Sequence, residues 1–272
     1  MSRYDEMFAR LKQKGEGAFG AFLMLGDPDK VTSAGLLDTL VEAGADMIEV
    51  GIPFSDPVAD GPVIQAASER ALRSGMRVDD SFALIRDFRA RHPAVPIGIL
   101  TYANILHARG REQFMADAAA AGADSILVAD VPSLEAPRYS EAAKAAGLDL
   151  VMIAAPNTPA PVLDRIAALS SGYTYCVARA GVTGTSEQLT LDHGPLFEGL
   201  AGAGAPPPIL GFGISTPEQV REALRSGAAG VIAGSALVKC GTDRVALDSL
   251  VTALKGATSL LETEEEHHGR IA

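Results

Sequence analysis

One short phrase recurs along this chain. Small residues ending in or around a glycine close a helix, and four or five apolar residues follow at once. Gly44-Ala45-Asp46 leads into the run 47–52, Ala121-Gly122-Ala123-Asp124 into 125–129, Ala146-Gly147-Leu148-Asp149 into 150–154, Ser171-Gly172 into 173–177, and Ser226-Gly227-Ala228-Ala229 into 230–233. Glycine is the residue that ends a helix in the left-handed conformation, and a short, continuously apolar run after it reads as a strand buried on both faces. Two further strands enter through proline, 97–101 after Val95-Pro96 and 209–211 after Pro207-Pro208. Another, 18–25, comes first and is stopped by Gly26-Asp27-Pro28.

Helical stretches separate these strands, at about 31–43, 79–91, 111–121, 134–146, 160–169, 189–200, 217–225 and 245–261, and a short amphipathic helix at 4–14 precedes them. Strict alternation of strand and helix requires a parallel sheet with crossover helices, and about eight such units close most naturally into a (β/α)8 barrel. A doubly wound open sheet is the alternative, but no GxGxxG follows the first strand. A chain of 272 residues suits one α/β barrel. The expected organisation is one barrel domain over 1–261 and an acidic tail over 262–272.

Composition narrows the partners. The formal net charge of −11 sets the average surface against nucleic acid and anionic membranes. Cys176 and Cys240 lie in apolar or small-residue stretches without CxxC spacing and read as reduced thiols, which fits the cytoplasm. A polar, amphipathic N-terminus and the lack of any long apolar run predict neither an export signal nor a membrane span.

In a barrel the reactive side chains gather where strands end. Reading those positions in order gives Phe22, Glu49, Leu100, Tyr102, Ala129, Asp130, Ile153 and Tyr175, and then the glycine-rich phrases Gly181-Val182-Thr183-Gly184, Gly211-Phe212-Gly213-Ile214-Ser215 and Gly234-Ser235. Glu49 stands among Met47, Ile48, Val50 and Ile52, where an unpaired carboxylate is poorly solvated; its pKa is expected to be raised, which suits proton transfer. Asp60 follows in a loop punctuated by Pro53, Pro57 and Gly61. A salt-bridged core acid and an Asp-Gly turn are the plain structural alternatives for these two residues. Glycines at three successive strand ends let backbone N–H groups approach an anion, so the second half of the barrel is read as a phosphate site. No lysine falls at a strand end, which removes a Schiff-base mechanism, and the five histidines lack ligand spacing, so no metal is expected. Carboxylate acid–base chemistry on a small phosphorylated substrate remains, between apolar walls (Phe22, Leu100, Ile153, Phe212) that suit an aromatic group.

The stretch Ile48-Glu49-Val50-Gly51-Ile52-Pro53-Phe54-Ser55-Asp56-Pro57-Val58-Ala59-Asp60-Gly61 resembles the signature of the tryptophan synthase α subunit family. The resemblance extends through Arg3-Tyr4, Leu25-Gly26-Asp27-Pro28, Tyr102-Ala103-Asn104, Val128-Ala129-Asp130-Val131-Pro132, Gly181-Val182-Thr183-Gly184 and Gly211-Phe212-Gly213-Ile214-Ser215. It implies a (β/α)8 barrel that cleaves indole-3-glycerol phosphate reversibly to indole and glyceraldehyde 3-phosphate. On that pattern Glu49 is the principal acid/base, Asp60 holds the indole N–H, and Tyr175 assists Glu49. Gly184, Gly213, Gly234 and Ser235 align with phosphate binders, and Thr183 lines the pocket.

The resemblance further implies no cofactor in this chain and a β subunit carrying pyridoxal phosphate, joined in an α2β2 tetramer. The loops at 53–60 and 179–189 would face that partner, the second as a lid over substrate. Met24, Ala178 and Ala180 depart from the family's usual threonine and serines, and the tail aligns with nothing. Two alternatives are another phosphate-binding barrel such as indole-glycerol-phosphate synthase, disfavoured by the missing strand-end lysine, and a non-catalytic module that activates the β subunit.

Overall fold

The computed structural model describes residues 1–177 and 193–259. Its strands are β1 (Ala18–Met24), β2 (Met47–Gly51), β3 (Ile97–Thr101), β4 (Ser125–Val128), β5 (Asp149–Leu150), β6 (Ile153–Ala154), β7 (Thr174–Val177), β8 (Pro208–Gly211) and β9 (Gly230–Ala233). All pair in parallel, in the order β5-β4-β3-β2-β1-β9-β8-β7-β6.

The two ends of that order are consecutive in the chain. β5 and β6 are halves of one extended run interrupted at Val151–Met152, so nine strands make eight staves. The Val151 N–H donates to the Ile126 carbonyl at 2.9 Å and the Tyr175 N–H to the Met152 carbonyl at 3.0 Å, so the interrupted stave bonds on both sides and the sheet closes on itself. The fold is a (β/α)8 barrel with a helix at its N-terminus.

Side chains alternate along a strand, so register decides which enter the barrel. Phe22 stands opposite Glu49, and Glu49 opposite Gly98. The lower end is plugged by Tyr4, from the N-terminal helix Arg3–Lys14, which is fully buried and shares a hydrogen bond of 2.8 Å with the Ser125 hydroxyl. Gly98 has no room for a side chain there, because an added Cβ would lie 2.5 Å from the Ser125 oxygen and 3.0 Å from the Tyr4 oxygen. The helix is tied down by Asp124, which accepts from Arg3 at 2.7 Å, from Arg89 at 2.6 Å and from the Ile97 N–H at 2.7 Å.

Two helices appear where the sequence predicts loop. Pro62–Arg73 follows the Asp60 turn, with Pro62 at its first position, where a missing N–H costs nothing; Ala103–Arg109 follows Tyr102. The last helix among the described residues spans Arg244–Gly256, and the acidic stretch 262–272 lies outside the described residues.

Candidate active site

At the C-terminal end of the barrel is a cavity of about 300 Å³ lined by Phe22, Glu49, Asp60, Leu100, Tyr175, Phe212, Gly213, Gly234 and Ser235, together with Ile64, Ile214, Ser215, Ala236 and Lys239. Nine of the residues singled out from sequence therefore meet in one place. Ala129 and Ile153 line a second cavity, of about 630 Å³, which includes Ala136, Tyr139, Val162 and Ile166 from the flanking helices. The interruption of pairing at Val151–Met152 lies beside it, and neither residue lines the cavity that holds Glu49. Thr183 and Gly184, and with them the proposed lid at 179–189, lie outside the described residues.

Glu49 is 2% exposed, and its Oε1 accepts a hydrogen bond of 3.1 Å from the Tyr173 hydroxyl. Burial raises its pKa to about 8; the Tyr173 bond opposes the rise and the charge of Asp60 adds to it. Asp60 is 7% exposed and raised to about 6, again by burial, with a hydrogen bond from Tyr102 holding it down. The two acids thus have different environments: the first sits inside the stave, the second on a loop where a phenol hydroxyl favours its anion.

That loop is braced around the Asp60 position. The Asp60 N–H donates to the Pro57 carbonyl at 3.1 Å and its carbonyl accepts from the Gln65 amide at 2.7 Å. Ser68 bonds both the N–H and the carbonyl of Phe54 at 2.8 Å, and the Phe54 ring stacks on Tyr102 at 5.3 Å. The Tyr102 hydroxyl accepts from the Ala59 N–H at 3.3 Å. Tyr102 does not line the cavity; it supports the loop from behind.

Tyr175 and Phe212 meet edge to face at 6.1 Å on the opposite wall. An added Cβ at Gly211 would fall 2.1 Å from the Tyr175 oxygen, so the tyrosine occupies the space a side chain there would need. Phe212, at φ 72°, is the one non-glycine with positive φ among the described residues, followed by Gly213 at φ 82°. A bulky side chain in that region is strained, and such strain concentrates where a backbone is held for a ligand. A Cβ at Gly234 would meet only the Phe22 side chain, at 3.6 Å, so the barrel itself does not exclude a methyl group there.

A sequence profile of the tryptophan synthase alpha chain matches residues 8–265. The chain belongs to the tryptophan synthase alpha chain family. It is 50% identical over 239 residues to the tryptophan synthase alpha chain of Shewanella amazonensis, covering 88% of this chain and 90% of that one. It is 47% identical over 268 residues to that of Vibrio parahaemolyticus, covering 95% and 99%. Among solved structures, a chain of Mycobacterium tuberculosis tryptophan synthase is similar at 32% identity and a TM-score of 0.87, over 95% of this chain and 99% of that one. The tryptophan synthase subunit alpha of Legionella pneumophila is similar at 31% and 0.84, over 95% and 98%.

For this tryptophan synthase alpha chain, two residues of the site went unassigned in the sequence. Tyr173, immediately before β7, donates a hydrogen bond to Glu49, two residues from Tyr175, which the resemblance gives as assisting Glu49; the Tyr-Thr-Tyr alternation, which sends both rings to the same side, was the signal. Lys239 was passed over because it is not at a strand end, yet the helix Ser235–Lys239 brings it to the cavity. Tyr173→Phe removes the one bond that holds the Glu49 pKa down, so the alkaline limb of the pH–rate profile is expected to move up. An unchanged limb in a folded variant would deny Tyr173 this role. Among the described residues no three His, Cys, Asp or Glu side chains cluster as metal ligands, and no helix is long and apolar enough to cross a membrane.

Proposed function

We propose that Glu49 and Asp60 divide the acid–base work of the alpha reaction, the reversible cleavage of indole-3-glycerol phosphate to indole and glyceraldehyde 3-phosphate. Indole is a poor leaving carbanion until its C3 is protonated. Glu49, protonated at neutral pH, donates that proton; the ring becomes an indoleninium, and the ionised Asp60 holds its N–H. The glycerol hydroxyl next to the ring then returns a proton to Glu49, its oxygen forms the aldehyde, and the carbon–carbon bond pair flows back into the ring. Protons and electrons balance without a cofactor in this chain. Tyr175 walls the indole site, and the amides around Gly213, Gly234 and Ser235, joined by Gly184, receive the phosphate.

The observation that carries this reading is the placing of two acids in one cavity, Glu49 buried within a strand with a bond from Tyr173 and Asp60 on a loop beside Tyr102. Burial raises Glu49 to about 8 and Asp60 to about 6, which leaves one carboxyl neutral and the other charged at pH 7. Activity is lost above the first value, when the donor is ionised, and below the second, when the stabilising anion is protonated. Indole release by the isolated chain is therefore expected to follow a bell in kcat/KM with limbs near pH 6 and 8. A profile that keeps rising beyond pH 9, or no release by a folded chain, would reject it.

The partner reading follows the family: a β subunit with pyridoxal phosphate receives indole in an α2β2 complex in the cytoplasm. The exposed Val58, on the loop that carries Asp60, and Leu134, both about 70% accessible, put apolar surface at this end of the barrel in support. One barrel domain over 1–261 carries both acids and the phosphate end of the site.

A further inference from the structure

The cavity presents an electrostatic problem. It holds two carboxyls, belongs to a chain of net charge −11, and on the reading above must admit a phosphate dianion. Lys239 is the only lysine or arginine lining it among the described residues. It stands four residues after Ser235 on the helix Ser235–Lys239, and residues so spaced share a helix face. Two other lysines are engaged, Lys30 with Asp80 at 2.5 Å and Lys255 with Glu16 and Asp46 at 2.8 Å, and none of the lysines besides Lys239 lines this cavity. Lys239 is exposed and has no ion-pair or hydrogen-bonding partner among the described residues. An ammonium left unpaired at the wall of an acidic cavity is poised for an anion that arrives from outside.

We infer that Lys239 captures and positions the phosphate end of the substrate, acting on affinity and not on the bond-breaking step. Its charge offsets the repulsion from the ionised Asp60, while the backbone amides at Gly213, Gly234 and Ser235 supply the directional contacts. The inference rests on the phosphate reading of this site and adds to it the group that draws the anion in. A partly exposed charge contact of this kind amounts to about a 3- to 10-fold change in affinity, diminished by salt.

The test titrates inorganic phosphate and, separately, indole into the full chain, into Lys239→Gln and into Lys239→Arg at low ionic strength. Lys239→Gln is expected to weaken phosphate about 3- to 10-fold with indole affinity kept within about twofold, and Lys239→Arg to restore phosphate binding. Added sodium chloride should narrow the gap. In turnover, KM rises by a similar factor while kcat moves less. Equal phosphate affinity in Lys239→Gln and the unsubstituted chain, equal loss of indole and phosphate, or no phosphate binding by the unsubstituted chain each overturns the role. Phosphate binding is read without catalysis, so the two failures are distinguishable: an unsubstituted chain that binds phosphate but releases no indole refutes the reaction, while the phosphate titrations still decide the role of Lys239.

Discussion

Glu49→Gln is expected to lower kcat by at least about 10³-fold while substrate affinity stays within a few-fold. Gln has the size of Glu, and its amide oxygen can still accept from the Tyr173 hydroxyl, so the site keeps its shape and loses only the mobile proton. The same variant is expected to be more stable at alkaline pH. In the folded chain the Glu49 pKa is raised from 4.5 to about 8, so its contribution to stability is fully present below pH 4.5 and is lost as pH rises through 8. By linkage the loss approaches roughly 3–5 kcal/mol once the folded state must ionise this buried carboxyl. Gln does not titrate. The stability difference between variant and unsubstituted chain, from urea denaturation, should therefore grow from pH 5 to pH 8. A difference that stays constant with pH would mean that Glu49 ionises normally, and near-normal turnover would remove it from the chemistry.

Asp60→Asn is expected to reduce kcat by about 10²- to 10³-fold, because an amide cannot match a carboxylate against a cationic ring. The structure separates this effect from a turn-forming role. What the Asp60 backbone does, bonding Pro57 and Gln65, an asparagine does equally well. Two shifts in the pH profile should accompany the loss. The acid limb near pH 6 disappears, since it belongs to Asp60. The alkaline limb moves down, since the Asp60 charge is one of the causes that raise Glu49. Full activity in Asp60→Asn, with both limbs in place, would reduce Asp60 to a structural residue.

Much of this is legible in the sequence, and the reason is physical. Glycine or proline ahead of a short apolar run is a local signal, and it marks every stave but the first, which is marked by its apolar run and the Gly26-Asp27-Pro28 stop. Glu49 was legible because a carboxyl amid Met47, Ile48, Val50 and Ile52 contradicts its surroundings. Helix Pro62–Arg73 was not, because its three-proline approach reads as punctuation and the helix-starting character of Pro62 is hidden inside it. Tyr173 and Tyr175 share a strand face, and only the three-dimensional depth of each decides that Tyr173 meets Glu49. Ala129 and Ile153 sit at strand ends as expected, but the break at Val151–Met152 adjoins a different cavity, and sequence spacing carries no trace of such a break. Lys239 was missed for a related reason: a residue a full helical turn beyond a strand end can still line the mouth. Of the phosphate set, Gly213, Gly234 and Ser235 converge, while Gly184 lies outside the described residues.

The ordered ionisation of the two carboxyls is tested most directly by observing them without turnover. Carbon-13 labelling of the side-chain carboxyls, with Glu49→Gln and Asp60→Asn used to assign the two signals, gives each titration separately. Glu49 is expected to remain protonated at pH 7 and to titrate at about 8, with Asp60 already ionised and titrating at about 6. A Glu49 signal that titrates between pH 4 and 5, in the ordinary range of a solvated glutamate, would contradict the division of acid and anion on which the whole mechanism stands.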